Sequence, residues 1–574
     1  RRQQWRAVAR RGARLGAGDR AMTLDCGRIG FREIELETGA GDDFSLCING
    51  APVFCRGACW TPLDVVGLSP APAGYREALS AAREAGMNML RLPGSLLYET
   101  PLFHELCDEL GVLVWQDFMF ANLDYPSGDE PFLATVRAEA QQLLTDLQQS
   151  PSLAVLCGGS EVEQQAAMMG LPRPQWSSPL FQELLPAVCK SLRPDVPYWP
   201  ATPSGGELPF QVNAGVAHYY GVGAYLRPLD DARRCEVRFA AECLAFANVP
   251  EESTLESCFA GAAAVVHHPL WKSRVPRDVG AGWDFEDVRD HYLRLLFEVD
   301  PMRLRYSDCA RYLLLSRVVT GEVMASAFAE WRRRRASCHG ALVWLLRDLW
   351  PGAGWGVIDA LGTPKASYYY LKRALKPLAL FLTDEGLSGL YAHVVNESAQ
   401  SHALTLHVAL YRQAEVRIAE GATELSLPPR AAVEIPLSRL FSGFLDTSYA
   451  YRFGPPSHEV VVARLVESHT GQVRDTAFFF PLGLGALGQA ELGLAAAAQA
   501  QPDGSRKLCI RTQKFAQSVV ICASGFLPDD NYFHLEPGGE RCVTLRPRTS
   551  GHKWQATITA VNASAAPLWV QEVE

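Results

Sequence analysis

Residues 85–118 read AGMNMLRLPGSLLYETPLFHELCDELGVLVWQDF, and this stretch decides the fold. It begins with an apolar run at 87–92 and closes with a second one at 112–118. Between them, residues 101–110 place apolar side chains three and four positions apart, which is the spacing of an amphipathic helix. A strand, a helix and a strand in this order predict a βαβ unit with parallel strands.

The same alternation extends over residues 46–375. Helical patterns recur between short apolar segments, for example at 75–85 and 131–147. Eight strand and helix units in succession predict a (β/α)8 TIM barrel, in which residues 250–337 form an enlarged seventh connection. The eight candidate strands are residues 53–60, 87–92, 112–118, 153–160, 197–201, 215–220, 237–243 and 340–346.

From residue 376 onward the pattern becomes all-β. Apolar and polar residues alternate at 391–395 and 404–408, and turn residues recur about every ten positions. This predicts an immunoglobulin-like β-sandwich over residues 376–484 and a second, C-terminal one over 485–574. Residues 1–45 contain one short alternating segment and are predicted to be the remnant of a preceding β-sandwich domain with its lead-in to the barrel.

Composition narrows the class of protein. Hydrophobic residues make up 48% and charged residues 20%, which is typical of a folded globular chain. Lys and Arg number 54 against 63 Asp and Glu, so the net charge of -9 gives no electrostatic reason to expect nucleic acid as a partner. No apolar run approaches the roughly 18 residues of a membrane span, so none is expected.

The cysteines indicate a compartment. There are 15, and none forms a C-x-x-C pair, which argues against zinc-ribbon and thioredoxin-type sites. Scattered free thiols in a reducing compartment are the expectation, and cytoplasmic localisation is the prediction. The chain begins with Arg1 rather than Met, so an N-terminal part is expected to be missing.

Two acidic residues follow the ends of predicted strands. Glu161 comes after the fourth strand and Glu242 lies near the end of the seventh. Reactive groups of β/α barrels lie at this end of the strands, so the two carboxyl groups are expected to face one mouth. Such a pair can cleave a glycosidic bond, one group as a proton donor and the other as a nucleophile. The alternative is that each Glu stabilises a helix N-terminus through the helix dipole.

The ordered motifs of the chain resemble the β-mannosidase branch of glycoside hydrolase family 2. The resemblance starts near Phe44 and covers almost the whole chain. The matching stretches are Asn49-Gly50, Arg56-Gly57-Ala58-Cys59-Trp60-Thr61-Pro62-Leu63-Asp64, residues 85–91, Cys107-Asp108-Glu109-Leu110-Gly111, Val114-Trp115-Gln116-Asp117-Phe118-Met119-Phe120, His218-Tyr219-Tyr220, Gly340-Ala341-Leu342-Val343-Trp344, residues 355–370, Asp529-Asp530-Asn531-Tyr532-Phe533 and Pro537-Gly538.

This resemblance implies roles for three charged residues. Glu161 corresponds to the acid/base and Glu242 to the nucleophile. Arg91 corresponds to the arginine that donates a hydrogen bond to the nucleophile and keeps it ionised. Glu161 is expected to hold its proton near neutral pH, because partial burial and the charge of Glu242 both favour the neutral acid.

The other candidate site residues are aromatic or polar side chains at strand ends. The indoles of Trp60 and Trp344 are expected to form walls of a one-sugar pocket, with core packing as the alternative. For Asp117, the alternative is a buried, hydrogen-bonded structural role. If the sixth strand alternates, one of its two tyrosines must face away from the pocket. The implied substrate-binding residues are Trp60, Asp117, Ser160, His218, Tyr219, Tyr220 and Trp344.

Several positions depart from the family pattern. Ser160 replaces the usual Asn before the acid/base, and a serine lacks the paired donor and acceptor of an amide. Pro93-Gly94-Ser95 replaces Trp-Gly-Gly, Ala241 replaces a small hydroxylated residue, and Arg347-Asp348 replaces Asn-Asp. The carboxylates themselves are retained, so the sequence favours a working hydrolase of altered sugar specificity.

The function that the resemblance implies is a retaining exo-β-glycosidase. It would remove terminal β-linked mannose or a related sugar from oligosaccharides or glycoconjugates by double displacement, without a metal or an organic cofactor. An exo-β-glucosaminidase or a β-galactosidase-like relative is a second reading. A non-catalytic carbohydrate-binding barrel is a third.

Overall fold

A computed structural model describes residues 8–17, 20–39, 43–68, 70–122, 124–259, 268–548 and 554–573, with residues 8–28 and 573 described as backbone only. The chain divides into two compact units. The first comprises Arg1–Tyr225, Asp231–Ala245 and Ser337–Leu349, and the second comprises Leu226–Asp230, Phe246–Ala336 and Trp350–Glu574. Residues 260–267, within the predicted seventh connection, lie outside the described part.

The first unit alternates strands and helices along the chain. Its strands are β1 Val8–Ala17, β2 Arg20–Gly30, β3 Ile34–Glu37, β4 Ser45–Ile48, β5 Ala51–Val53, β6 Cys55–Cys59, β7 Met89–Leu92, β8 Leu113–Asp117, β9 Leu153–Cys157, β10 Tyr198–Trp199, β11 Ala217–Tyr219, β12 Phe239–Cys243 and β13 Gly340–Val343. Its helices are α1 Pro72–Glu84, α2 Pro101–Leu110, α3 Glu130–Asp146, α4 Gln164–Met168, α5 Arg173–Trp176, α6 Leu185–Leu192, preceded by a π-helical turn at Leu180–Leu184, and α7 Asp231–Arg234.

Strands β6 to β13 form one eight-stranded parallel sheet in the order β10-β9-β8-β7-β6-β13-β12-β11. Each of the eight predicted strands contains one of them, so these strand predictions are confirmed. The first strand of the series pairs with the last, Ala58 lying opposite Val343. This is the cyclic order of a barrel that is open between β10 and β11, a half-barrel with helices in its connections.

An aromatic cluster fills the sheet interior at the N-terminal ends of the strands. Phe44 is fully buried, and its ring centroid lies 5.3 Å from that of Trp115, 5.0 Å from Trp199 and 4.9 Å from Phe239. Phe44 directly precedes the hairpin of β4 and β5, whose buried residues join the same core. The hairpin therefore closes the end of the sheet opposite the predicted mouth.

The second unit contains helices followed by antiparallel sheets. The helices are α8 Glu252–Phe259, α9 Pro269–Arg274, α10 Phe285–Phe297, α11 Pro301–Ser307, α12 Cys309–Arg332 and α13 Ala366–Ala374. The strands are β14 Leu378–Asp384, β15 Leu390–Asn396, β16 His402–Arg412, β17 Val416–Leu427, β18 Ala431–Pro436, β19 Val460–Glu467, β20 Val473–Phe479, β21 Ala495–Ala500, β22 Arg506–Arg511, β23 Ala516–Ala523, β24 Phe526–Pro528, β25 Phe533–Leu535, β26 Glu540–Pro547, β27 Ala556–Thr559, β28 Leu568–Trp569 and β29 Gln571–Val573, with 3₁₀ turns at Gly386–Ser388, Leu437–Leu440 and Leu484–Ala486.

Strands β14 to β20 form a three-stranded and a four-stranded sheet that share one apolar core. Strands β21 to β29 form a five-stranded and a four-stranded sheet around a second apolar core. Several antiparallel sheets thus follow the parallel sheet, as the all-β pattern predicted. The sequence-based domain limits at residues 45, 375 and 484 stay predictions.

Helix α12 is long and apolar, contrary to the expectation that no segment reaches the length of a membrane span. In the described part of the chain it is the one helix that is long and apolar enough to cross a bilayer by length and composition. However, 72% of its most apolar window is buried inside the structure. It packs as a core helix of the second unit, against α10 and α13.

The cysteine prediction requires a correction. Cys509 on β22 and Cys542 on β26 form a disulfide, whereas free thiols were expected throughout. The two residues lie directly opposite each other on neighbouring antiparallel strands, a relation that sequence spacing does not reveal. The other twelve cysteines with described side chains form no disulfide. Cytoplasmic localisation stays a prediction.

We expect Phe44→Ala to lower the free energy of unfolding of the first unit by about 3–5 kcal/mol, because it removes a ring from a closed aromatic cluster. Phe31→Ala is the matched control, since Phe31 is 50% exposed and its loss should cost about 0.5 kcal/mol or less. Urea unfolding followed by tryptophan fluorescence measures both values. Equal losses in the two variants would contradict the packing role of Phe44.

Candidate active site

The ends of the parallel strands bring Glu161 and Glu242 together. One carboxylate oxygen of Glu161 and one of Glu242 lie within 4.8 Å of each other, and a ring nitrogen of His218 lies within the same distance of both. Retaining glycosidases separate their two carboxyl groups by roughly 5–5.5 Å, whereas inverting ones leave about 6.5–9.5 Å for a water molecule. The spacing between Glu161 and Glu242 suits direct attack by one carboxylate on the anomeric carbon, while the other carboxyl group donates a proton to the leaving oxygen.

A β-bulge in β12 aims Glu242 into the site. Ala217 of β11 pairs with Ala240, but the next residue, His218, pairs with Glu242, so Ala241 is an extra residue in β12. Both Phe239 and Ala241 belong to the inner core cluster, and strict alternation would therefore turn Glu242 outward. Bulges commonly redirect a side chain beside an active site, and this one does so for the acid.

Glu161 has an unusual backbone conformation. Its φ is +57°, the left-handed region that non-glycine residues seldom adopt. Its N–H donates to the carbonyl oxygen of Thr202, and Ser160 is bridged to both Ala121 and Thr202. These contacts with the neighbouring strand ends hold the residue in a conformation of the kind that clusters at functional sites.

Arg91 at the end of β7 joins the carboxyl groups of two other strands. The side chain is fully buried. Its Nη1 donates to Glu242 Oε1 at 2.7 Å, and its Nη2 donates to Asp117 Oδ2 at 2.8 Å and to Thr202 Oγ1 at 2.6 Å. Burial alone lowers the pKa of the guanidinium, but the charges of Asp117 and Glu242 raise it well above the ordinary value. Arg91 is therefore a permanent cation facing Glu242.

Both carboxylate oxygens of Glu242 have protein partners. Oε1 accepts from Arg91 and lies 3.4 Å from Nε2 of His218, while Oε2 accepts from the hydroxyl of Tyr220 at 2.7 Å. The side chain is 7% exposed. Arg91 and Tyr220 each donate to one of the two oxygens, and each oxygen keeps a further lone pair for bonding to carbon.

The environment of Glu161 differs from the expected one. Burial raises the pKa of this carboxyl group, but hydrogen bonds from His218 and Gln164 and the charges of His218 and Arg91 lower it, and the net pKa lies below the ordinary value. His218 Nδ1 lies 2.9 Å and Gln164 Nε2 3.2 Å from Glu161 Oε1. The expectation that Glu161 keeps its proton near neutral pH is therefore wrong for the substrate-free site.

Two of the predicted sugar-contacting residues lie in buried polar networks of the substrate-free site, and their contact with a sugar stays a prediction. The carboxylate of Asp117 is fully buried and accepts from Arg91, from Trp115 Nε1 at 2.9 Å and from the backbone N–H of Gly94 at 3.0 Å. The hydroxyl of Ser160 is 3.2 Å from Arg91 Nη2. Asp117 is thus buried and hydrogen-bonded, as in the alternative given for it. The hydroxyl of Ser160 already has Arg91 as a protein partner.

The two predicted tryptophans differ in exposure. Trp60 is 2% exposed, with the ring of Tyr75 stacked 6.4 Å away, and its Nε1 donates to Glu99 at 2.6 Å. This is a core position, the alternative weighed for it. Trp344 follows β13, is half-buried, and its backbone N–H donates to Cys243.

The tyrosine pair alternates as expected. Tyr220 faces Glu242, and Tyr219 faces away, with its hydroxyl 2.8 Å from Asp231 Oδ2. The sequence reasoning missed Thr202, Gln164 and Glu99. Thr202 and Glu99 contact Arg91 and Trp60, which are far away in the chain, so no spacing signal marks them. Gln164 lies three residues after Glu161, and this helical spacing is a signal that could have found it.

Glu161, His218 and Glu242 also form the one group of potential metal ligands that the described residues of the first unit contain. An imidazole with two carboxylates is a donor set that divalent cations accept. Arg91 already compensates one of these charges at 2.7 Å. The prediction that no metal is needed stays a prediction.

The chain is similar to known β-mannosidases. It is 27% identical over 579 residues to β-mannosidase B of Aspergillus oryzae, covering 94% of this chain and 64% of that protein. It is 29% identical over 418 residues to β-mannosidase B of Aspergillus niger, covering 68% of this chain and 47% of that protein. The chain therefore spans less than two thirds of the length of these relatives. No protein-family model matches it.

Solved structures share the fold. The β-D-mannosidase of Dictyoglomus thermophilum superposes with a TM-score of 0.79 at 24% identity, covering 96% of this chain and 65% of that one. The exo-chitosanase of Amycolatopsis orientalis, in complex with PNP-beta-D-glucosamine, gives a TM-score of 0.76 at 17% identity, covering 99% and 70%. The resemblance to the β-mannosidase branch of glycoside hydrolase family 2 that the motifs indicated is thus confirmed.

We expect Gln164→Met to raise the pKa of Glu161, because it removes a donor that stabilises the ionised carboxylate and leaves burial in place. Selective ¹³C labelling of glutamate carboxyl groups, with the signal of Glu161 assigned by its loss in Glu161→Gln, measures this by NMR titration. Gln165→Met is the matched control, since Gln165 is exposed on the same helix. An unchanged or lower pKa in Gln164→Met would contradict the assignment.

Proposed function

We propose that this chain is the catalytic part of a retaining exo-β-glycosidase that removes terminal β-linked mannose or a related sugar by double displacement. The observation that carries the proposal is the approach of Glu161 to Glu242 within 4.8 Å, with the buried Arg91 against only one of them. We also propose that the parallel sheet is a closed (β/α)8 barrel in the complete protein and that the two following sandwiches are immunoglobulin-like.

In the first step, a carboxylate oxygen of Glu242 attacks the anomeric carbon. The bond to the leaving oxygen breaks as Glu161 transfers its proton to that oxygen, and a glycosyl ester on Glu242 forms. Arg91 and Tyr220 hold the two oxygens of Glu242 in position before attack. A sugar between the two carboxyl groups separates Glu161 from His218, removing a donor that lowers the pKa of Glu161 while the burial that raises it remains.

In the second step, Glu161 acts as a base. Its carboxylate takes a proton from water, the water oxygen bonds to the anomeric carbon, and the ester to Glu242 breaks. Two displacements on opposite sides return the original β configuration. Glu242 leaves as a carboxylate, to which Arg91 and Tyr220 donate again.

The identity of the sugar depends on groups that depart from the family pattern. Ser160 stands where an amide usually contacts the sugar 2-hydroxyl, and its hydroxyl is within 3.2 Å of Arg91. This observation supports a 2-substituent contact different from that of a mannosidase, and so keeps an exo-β-glucosaminidase as the second candidate. Hydrolysis rates on a panel of aryl β-mannoside, β-glucosaminide and β-galactoside separate these candidates.

We expect Glu242→Ala to lower the rate on an aryl β-mannoside by about 10⁴-fold or more, since no glycosyl ester can form. The assay is release of the aryl alcohol, with a thermal melt to show that the variant is folded. Glu236→Ala is a control at an acidic residue outside the site. A folded Glu242→Ala variant with the parental rate would overturn the assignment of the nucleophile.

We expect Glu161→Ala to affect substrates according to their leaving group. Alkyl glycosides need protonation and should lose almost all turnover, whereas a dinitrophenyl glycoside should still form the glycosyl ester. Azide should then restore release by attacking the ester without a base, giving a β-glycosyl azide that chromatography detects. Sugar binding without turnover by the parental full-length protein would favour the non-catalytic, carbohydrate-binding reading.

A further inference from the structure

Most exposed apolar side chains of the first unit belong to the segments that follow its parallel strands. Twelve large apolar residues with described side chains are exposed in this unit. Eleven lie in loops that leave the C-terminal ends of the parallel strands, and only Phe31 does not. The eleven are Val65, Val66, Leu68, Leu97, Met119, Met168, Met169, Leu171, Leu208, Phe210 and Tyr225. Contiguous apolar surface on a folded protein marks a binding surface.

Four of these residues flank Glu161 and are here called the apolar rim: Met119, Met168, Met169 and Leu171. Met168 is 65% and Met169 77% exposed, at the end of the short helix α4 that begins three residues after Glu161. Met119 belongs to the neighbouring loop, which is tied to the Glu161 loop by the hydrogen bond from the N–H of Ser160 to the carbonyl of Phe120. Met168, Met169 and Leu171 therefore lie on the loop of the proposed proton donor, and Met119 lies on the loop beside it.

The loop that carries the rim has little charge. From Gln164 to Trp176 its one charged residue is Arg173, whose guanidinium lies 5.6 Å over the ring of Trp176. Methionine side chains are flexible and polarisable, so they adapt to apolar ligands of varied shape. A sugar needs several hydrogen-bond donors and acceptors, and the four side chains of the rim offer only weakly accepting methionine sulfur atoms.

We propose that the apolar rim binds the leaving group of the substrate, and that this leaving group comes from an alcohol with an alkyl chain rather than from a second sugar. The inference rests on the proposed function: the acid protonates the leaving oxygen, so side chains on its own loop face the group attached to that oxygen. The natural substrate class is then a β-glycoside of an apolar alcohol, such as a glycolipid.

The test is the dependence of kcat/KM on chain length. Ethyl, butyl, hexyl and octyl β-mannosides have leaving groups of nearly equal basicity, and each is used below its micelle concentration. Full burial of one methylene group raises affinity about fourfold. Because the rim is open to solvent, we expect kcat/KM to rise about twofold for each added methylene group. The increase should appear mainly as a lower KM, because the chain contacts the rim equally in the ground and transition states. Equal kcat/KM values across the series would overturn the proposal.

Variants locate the effect. Met168→Ser with Met169→Ser should reduce the octyl-to-ethyl ratio of kcat/KM at least about fivefold. Leu295→Ser is the matched control, since Leu295 is 49% exposed on α10 of the second unit, and it should leave the ratio unchanged. A double variant that keeps the parental ratio would show that the chain binds elsewhere and would overturn the assignment to the rim.

A binding measurement distinguishes failure of this inference from failure of the proposed function. Octyl and ethyl 1-thio-β-mannosides resist hydrolysis, and calorimetry gives their affinities even for an inactive chain. Tighter octyl binding that is lost in the double methionine variant supports the rim, whatever the turnover. If the chain hydrolyses aryl glycosides but binds octyl and ethyl 1-thio-β-mannosides with equal affinity, the proposed glycosidase function stands and the proposal of an apolar leaving group is overturned.

Discussion

A single buried guanidinium links most of the parallel sheet at its reactive end. Arg91 on β7 contacts Asp117 on β8, the hydroxyls of Ser160 and Thr202 that follow β9 and β10, and Glu242 on β12. Removing such a charge from water costs several kcal/mol, and only a complete set of partners offsets that cost. The strand ends must therefore sit in one arrangement, and that arrangement also fixes the position of Glu242.

The same constraint makes the two acids unequal. Glu242 has Arg91 and Tyr220 on its two oxygens and is nearly enclosed. Glu161 has no direct contact with the guanidinium, is 25% exposed, and depends on His218 and Gln164, groups that a ligand can displace. One carboxylate is held by permanent partners and the other by exchangeable ones, which is the asymmetry that an acid/base and nucleophile pair requires.

The surroundings of the pair are divided in the same way. Asp117 is fully buried and Glu99 half-buried, and they hold Arg91 and Trp60. Met168 and Met169 are exposed on the loop that follows Glu161. These polar groups have partners within the fold, whereas the exposed methionines are the side chains that we propose to bind the leaving group.

Sequence alone determined the parts that depend on local pattern. The eight strands follow from apolar runs and helical spacing, and Glu161, Glu242 and Arg91 stand out as polar residues that end buried strands. The alternation of Tyr219 and Tyr220 also follows from strand geometry. Tertiary structure decided the bulge at Ala241, the partners Thr202 and Gln164, the burial of Trp60, the lowered pKa of Glu161 and the pairing of Cys509 with Cys542. Apart from the contact of Gln164 with Glu161 three residues away, each of these depends on which distant segments become neighbours. A periodic pattern in one segment carries no information about its neighbours across the sheet.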